Sequence, residues 1–563
     1  MKQLPVPPLE QSLDRYLETL SCLQTEPEQA ISESFVAGFL AEEGPACQAE
    51  LIRFAELENA AGHSWMSEAW FDAYFAVRTP LPLTSNVAFQ INWNSRLTGA
   101  ALAADVARRL AAVHLRYLRG EAEPDLSPRG EELSPTQWRY LAGGIRHPRF
   151  DVDTYLDGPD GAGCREIVVL RHNHAWAVRV ADGTGNPLPR KAIESALQAI
   201  IDQTPATDGG FTDPSYLGGD DAAGLLDELL TDTANDAVYT RLRDALFVLD
   251  LADEGGEIAD AMRRLSFDPG QAWAFKTTSF QVGLADGFLA VHFEHSLADG
   301  ATLKEFVSRA QRIGPDDRPS DPAPIQPLAW HLNDETAGFL TESMASYRSQ
   351  AADYRVEIIR VPFAAPEGFK FSHDAGMQWV VLAAQLATWG RARSTYEAVD
   401  MREYLHGRTE CLRSLTPEAL SLARGLLTAE ATADQVFAAR AAHSRWVKAC
   451  KSGNAFDRHL FGLRLAARRL GLSPEVFADE GYRRLTTELL STTSLGDRAQ
   501  LIRLTFAPTS PGGIGVNYTA DPGSYEFCLS WRTDERPDLA RFVEHLAPMA
   551  EALAAAVQRA ARA

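Results

Sequence analysis

The sequence predicts an α/β (α+β) protein made of two sheet-and-helix layers. Three observations carry that class. Strand-like runs and helical patterns are interspersed along the whole chain rather than segregated. A β-hairpin is written at 280–293, where Asp286-Gly287 joins two apolar runs and both turn positions tolerate φ > 0. After a Pro- and Asp-rich stretch at 315–327, which reads as a linker, strand and helix begin to alternate again.

In chain order, Leu4-Pro5-Val6-Pro7-Pro8-Leu9 is an extended lead-in to an amphipathic helix carrying Leu13, Tyr16, Leu17 and Leu20. Helical patterns continue to about residue 76, and Pro80-Leu81-Pro82-Leu83 marks a crossing point. A helix is expected at 101–119, then a polar loop at 124–132. The runs 166–170 and 175–180 flank Arg171-His172-Asn173-His174 and form a hairpin. His172-x-His174 lies near Cys164, but no fourth ligand has fitting spacing, so no metal is expected. Helices are expected at 189–203 and 239–249, and the Gly- and Asp-rich stretch 209–224 reads as loops. Beyond the linker come a strand at 356–361, helices at 376–390 and 417–427, strands at 501–506 and 525–531, and a long alanine-rich helix at 539–561. No internal repeat is visible.

Composition narrows the partners. The 563 residues, 45% hydrophobic and 23% charged, suffice for two or more domains with substantial cores. A net charge of −22 argues against nucleic acid or an anionic membrane as main partner. The six scattered cysteines contain no C-x-x-C, which suits a reduced, cytoplasmic protein. No apolar run reaches the length of a membrane span, and no signal-peptide core opens the chain.

One stretch carries chemistry: residues 290–300, A-V-H-F-E-H-S-L-A-D-G. Alternation places Leu289, Val291, Phe293 and then His295 on one face, with His295 at the end of a buried strand. Asp299 and Gly300 stop the strand, and a helix at 301–312 follows with Leu303, Phe306, Val307 and Ala310 on one side. An imidazole there, with a carboxylate four residues on, can be held in one tautomer and take a hydroxyl proton. The spacing alone is weak, since roughly one His-x-x-x-Asp is expected by chance in such a chain. His147-Pro148-Arg149-Phe150-Asp151 repeats it, but contains a proline and follows no alternating strand, so it reads as a loop. Taken alone, His295 is equally a core histidine or a base.

Several separated stretches then converge. L-P-V-P-P-L-E-Q-S-L-D-R-Y-L at the start, E-H-S-L-A-D-G at 294–300, G-R-T-E at 407–410, A-F-D-R-H-L at 455–460 and S-T-T-S at 491–494 resemble the choline/carnitine acyltransferase family, in the family's order. The resemblance implies two chloramphenicol-acetyltransferase-like domains meeting at an active-site tunnel. It places one at 84–330 with the catalytic histidine, and the other at 1–83 plus 331–563 with the acceptor site. It implies His295 as general base and Asp299 as its acidic partner, orienting the ring or pairing with Arg408. Tyr396, Thr409 and Arg458 match the trio that holds the carnitine carboxylate, one guanidinium and two hydroxyls suiting a planar anion. Choline acetyltransferases resemble the family but lack that arginine, so Arg458 points to an acidic acceptor.

The same resemblance puts Ser494 on the oxyanion contact, Thr492 on a nearby polar contact and Phe506 beside the acceptor's trimethylammonium. Leu504 falls on a residue limiting acyl length, and its bulk implies short acyl groups. No bound cofactor is implied; a coenzyme A thioester is the co-substrate. The usual coenzyme-A-binding lysines are absent, their positions falling on Phe363 and Glu367, which leaves Lys370 and Asp374 as donor-site candidates. The expected activity is O-acyl transfer between acyl-CoA and carnitine or a carnitine-like hydroxy acid. Alternatives are the same chemistry from an acyl carrier protein, and a non-catalytic acyl-thioester binding protein.

Overall fold

The structure, a computed structural model, describes residues 1–536 and 538–563. The interspersed pattern resolves into two mixed sheets clothed by helices, as the α/β class requires. The first has eight strands, ordered Leu501–Phe506, Val87–Ile91, Leu289–Phe293, Thr278–Gly283, Val248–Ala252, Glu166–Arg171, His174–Arg179 and Ile325–Leu328. The second has six, ordered Tyr354–Pro362, Ser524–Arg532, Ile514–Asp521, Leu490–Ser494, Thr395–Asp400 and Thr409–Leu412.

Each sheet has its own core. Helix Gly99–Leu118 covers the eight-stranded sheet, with Val106, Leu110 and Val113 packed near Phe280, Val291 and Phe306. Helices His373–Trp389 and Leu539–Arg562 cover the six-stranded sheet, where Trp379, Val380 and Phe542 meet Val516 and Phe527. The helices before residue 76 pack onto the later half of the chain: Leu13, Tyr16, Phe39 and Trp65 share a core with Trp446, Phe456 and Leu463.

One strand departs from the division at residue 331. Leu501–Phe506 lies antiparallel to Val87–Ile91 in the eight-stranded sheet, although the strands before and after it belong to the six-stranded one. Leu504 N–H donates to Asn517 Oδ1 at 3.1 Å and Ser530 Oγ to the Phe506 carbonyl at 2.5 Å, so the crossing strand is tied to both sheets. It supplies the wall where the two bodies meet.

Three local expectations are corrected. The stretch 239–249 is not one helix: Thr233–Asp244 is helical, and Val248–Ala252 is a central strand parallel to both neighbours. The apolar run Leu246 to Leu249, which leads into this buried strand, is compatible with either element. Within 209–224, helix Gly219–Leu229 begins with Asp220 and Asp221 in its first turn, where acids favour a helix start. His147 is not in a loop but ends strand Ile145–His147, buried, with Nδ1 2.7 Å from the Tyr239 hydroxyl. The proline breaks the strand after the histidine rather than before it.

Candidate active site

The hairpin forms, Thr278–Gly283 pairing antiparallel with Leu289–Phe293, but its connection runs from 284 to 288 and of Asp286-Gly287 only Gly287 takes positive φ, at 72°. The ladder ends at Phe293, so alternation does not carry to His295. Glu294 intervenes: its carboxylate is wholly buried, 3.2 Å from Arg146 Nη1, and accepts from Ser296 Oγ at 2.7 Å. That buried pair pulls the chain out of the sheet, and His295 sits in the turn that follows. Helix Gly300–Arg312 starts one residue after Asp299, whose side chain does not cap it.

The turn is held from outside. Asp299 accepts from Arg408 Nε at 2.8 Å, Arg408 Nη2 at 3.1 Å and Gln137 Nε2 at 2.8 Å. Arg408 also donates to the carbonyls of Ser296 at 2.6 Å and His295 at 2.8 Å. His295 Nδ1 lies 3.0 Å from the Ala298 carbonyl but 3.8 Å from Asp299, too long for a hydrogen bond. The carbonyl therefore fixes the Nδ1–H tautomer and leaves the Nε2 lone pair free. Of the two roles expected for Asp299, the geometry selects the pair with Arg408.

Burial pushes the His295 pKa below the ordinary histidine value; Asp299 pulls it up, and Arg408 opposes that. The ring is thus neutral at neutral pH. For Asp299, burial favours the protonated form, but the contacts to Arg408 outweigh it and the carboxyl sits below its usual range.

Across from His295, Arg458 stands in the first turn of helix Asp457–Arg469. Its Nε donates to the Thr409 carbonyl at 3.0 Å, and Nη2 donates to the Tyr396 hydroxyl at 2.9 Å and Thr409 Oγ1 at 3.4 Å. Tyr396 and Thr409 come from paired strands, which is how residues far apart in sequence meet here. The Trp70 ring lies 4.8 Å from the Arg458 guanidinium and 5.3 Å from that of Arg408. One cavity of about 560 Å³ joins the two groups. His295 and Asp299 line it from the eight-stranded side, and Tyr396, Thr409, Arg458, Thr492 and Ser494 from the other. Leu504 and Phe506 line it from the crossing strand.

Not every candidate is free to act. The Thr492 hydroxyl is buried, donates to the Tyr396 carbonyl at 2.7 Å and accepts from Gln378 Nε2 at 2.8 Å, so it braces Tyr396. Among the described residues, the one hydrogen bond of Ser494 Oγ is accepted from the Gly496 N–H at 3.2 Å, and its own proton is given to no protein acceptor. Lys370 and Asp374 are not on this cavity. Lys370 is exposed, and Asp374 lines a separate groove with Arg129, Lys448 and Lys451. Phe363 is buried and stacked 4.2 Å from the Tyr525 ring centre. His172 Nδ1 lies 2.8 Å from the Pro205 carbonyl and Nε2 3.2 Å from Asp253 Oδ2.

Sequence reasoning missed Trp70, Tyr74 and Gln137. Trp70 and Tyr74 reach the cavity from helix Ser67–Phe75, and the Tyr74 ring stands edge-on 6.1 Å from His295. Their four-residue spacing is a legible signal, but on a helix it reads as core packing. Gln137, in a 3-10 turn, had none.

An imidazole facing a guanidinium and two hydroxyls through one cavity, at the junction of two α/β bodies, is an arrangement suited to acyl transfer. The chain belongs to the choline/carnitine O-acyltransferase family: the family model described as Choline/Carnitine o-acyltransferase matches residues 4–548. It is 26% identical over 585 residues to carnitine O-palmitoyltransferase 2, mitochondrial, of Bos taurus, covering 92% of this chain and 86% of the relative. It is 23% identical over 566 residues to carnitine O-acetyltransferase of Rattus norvegicus, covering 94% and 89%. Among solved structures it is similar to the wax ester synthase/diacylglycerol acyltransferase from Marinobacter aquaeolei VT8, with a TM-score of 0.31, 10% identity, and 86% and 96% of the two chains covered. Among the described residues, no helix is long and apolar enough to cross a membrane.

Proposed function

We propose that this protein moves a short acyl group between a coenzyme A thioester and the hydroxyl of carnitine or a carnitine-like hydroxy acid, with His295 as general base. The observation that carries this reading is the shared cavity, with the free Nε2 of His295 on one side and the Arg458, Tyr396 and Thr409 clamp on the other. The clamp supplies one fixed charge and two hydroxyls to a carboxylate, which holds the acceptor's hydroxyl toward the imidazole.

His295 Nε2 takes the hydroxyl proton as the acceptor oxygen attacks the thioester carbonyl carbon. The oxyanion that forms is steadied by a hydrogen bond from Ser494 Oγ and by the acceptor's own cation, which lies against Phe506. Collapse breaks the carbon–sulfur bond, and the imidazolium returns the proton to the departing thiolate. Asp299 takes no proton in this sequence; its pairing with Arg408 keeps the His295 turn in place. Leu504, buried in the cavity wall, favours short chains. The two relatives named above carry palmitoyl and acetyl in their names, so chain length varies among proteins similar to this one.

The test is thiol release from acetyl-, octanoyl- and palmitoyl-coenzyme A with carnitine or choline as acceptor. Release with carnitine and acetyl or octanoyl donors is expected. Equal use of choline would remove the role given to Arg458, and a palmitoyl preference would remove the short-chain assignment.

A further inference from the structure

Behind the clamp, inside the core of the six-stranded sheet, lies a polar cluster that the chemistry above does not use. Glu397 follows Tyr396 on strand Thr395–Asp400, so alternation sends its side chain to the other face. There Glu397 is 5% exposed, Gln378 3% and Tyr518 0%. The Tyr518 hydroxyl lies 2.6 Å from Glu397 Oε1 and 3.2 Å from Asp374 Oδ1. Gln378 Nε2 lies 2.8 Å from Thr492 Oγ1, 3.0 Å from Glu397 Oε2 and 3.0 Å from the Tyr518 hydroxyl. Ser414 Oγ donates to Gln378 Oε1 at 2.9 Å and fixes which end of the amide is which.

Counting protons decides how these contacts are made. Thr492 gives its only proton to the Tyr396 carbonyl, so it accepts from Gln378 and uses one of that amide's two N–H groups. The Tyr518 hydroxyl has one proton but touches two carboxyl oxygens. With both acids ionised, one of those two contacts has no hydrogen in it. A proton on Glu397 serves both: Glu397 Oε1–H donates to the Tyr518 oxygen, Tyr518 donates to Asp374, and the second Gln378 N–H is shared between Glu397 Oε2 and the Tyr518 oxygen. Of the two acids Glu397 is the one sealed from water, since the Asp374 side chain is 41% exposed with His443 Nε2 3.2 Å from its Oδ2.

We infer that Glu397 is held as a neutral carboxylic acid and, through Gln378 and Thr492, acts as a positioning residue for Tyr396 in the acceptor clamp. The inference rests on the reading of Tyr396 proposed above. The surroundings agree with it. Burial, and then the charge of Asp374, push the Glu397 carboxyl well above its usual range, and among the described residues it has no ion-pair partner. The titratable groups of the cluster are Asp374 from helix His373–Trp389, Tyr518 from strand Ile514–Asp521, and, from helix Ala433–Lys451, Cys450 and His443, whose Nε2 lies 3.2 Å from Asp374 Oδ2. The pattern makes a chain of neutral donors that ends on the Tyr396 backbone.

The discriminating variant is Glu397→Gln. Its amide N–H can donate to Tyr518 and its carbonyl can accept from Gln378, which reproduces the neutral acid and not the carboxylate. Glu397→Gln is expected to keep the carnitine KM within about twofold of the parent, while Glu397→Leu and Gln378→Met raise it roughly tenfold, the effect of about one lost buried hydrogen bond. The kcat should change less, and KM for choline, which has no carboxylate, should hardly move. An infrared band of a protonated carboxyl, present in the parent at neutral pH and lost in Glu397→Gln, is the direct readout and needs no turnover. A KM in Glu397→Gln as high as in Glu397→Leu, or no such band in the parent, overturns the inference. If Glu397→Leu does not fold, Gln378→Met and the band carry the test. A parent that shows the band but does not acylate carnitine would refute the proposed acceptor instead, so the two failures are separable.

Discussion

Replacing Arg458 by alanine separates an anion clamp from a structural salt bridge. A charged donor that directs hydrogen bonds at a carboxylate is worth about 1.5–3 kcal/mol for each bond it makes. Arg458 already spends Nε on the Thr409 carbonyl and Nη2 on the Tyr396 hydroxyl and Thr409 Oγ1, which leaves the two N–H groups of Nη1 for the ligand. One to two bonds lost comes to about 1.5–6 kcal/mol, or about 10–10⁴ in kcat/KM for carnitine. The fold should survive the change. Burial lifts the neighbouring Glu410 carboxyl to about 7 while Arg458 holds it down, so without the guanidinium Glu410 takes a proton rather than standing as an unpaired buried charge. The assay is steady-state thiol release with carnitine and with choline at matched donor concentration. Carnitine should lose most of its efficiency, mainly through KM, and choline far less. If both acceptors fell by the same factor, Arg458 would be holding the fold and not the substrate.

The other predictions concern the base and the cavity wall. His295→Ala should lower kcat by about 10²–10⁴ with little change in donor binding, and a fall under tenfold would remove it as base. Because the His295 pKa is lowered by burial and the neutral ring is the active form, kcat/KM should rise with pH and level off below the ordinary value of about 6.5; an acid limb above that value contradicts the assignment. Asp299→Asn leaves Arg408 buried without its counter-charge and should cost about 3–5 kcal/mol, read as a lower denaturant midpoint. In the parent, the depressed Asp299 carboxyl makes this stabilisation complete above the ordinary aspartate range and lost as pH falls through the folded value. Leu504→Ala should extend the range of accepted acyl chains at about 2–5 kcal/mol of stability, and an unchanged chain-length profile would free Leu504 of that role.

The fold class and most elements were legible because period-2 and period-3.6 patterns are local. The hairpin at Asp286-Gly287 and the helix Pro417–Leu427 follow from neighbouring residues alone. The errors came where burial on every side erases periodicity. Leu246 to Leu249 is equally apolar as helix or strand, and only its place between two parallel neighbours makes it a strand.

By itself the chain's sequence determined the family, through short motifs spread over its length, and named the histidine, the arginine and the hydroxyls as candidates. What only the tertiary structure decided is how they are held. That Asp299 serves Arg408 and not the imidazole, that Thr492 is tied to the Tyr396 backbone, and that Leu501–Phe506 crosses to the other sheet to close the cavity are matters of distance between residues far apart in the chain. A carboxylate or hydroxyl has the same letter whether its partner is a substrate, a side chain or a carbonyl, and the few ångströms that choose between them are set by the packing of the two bodies.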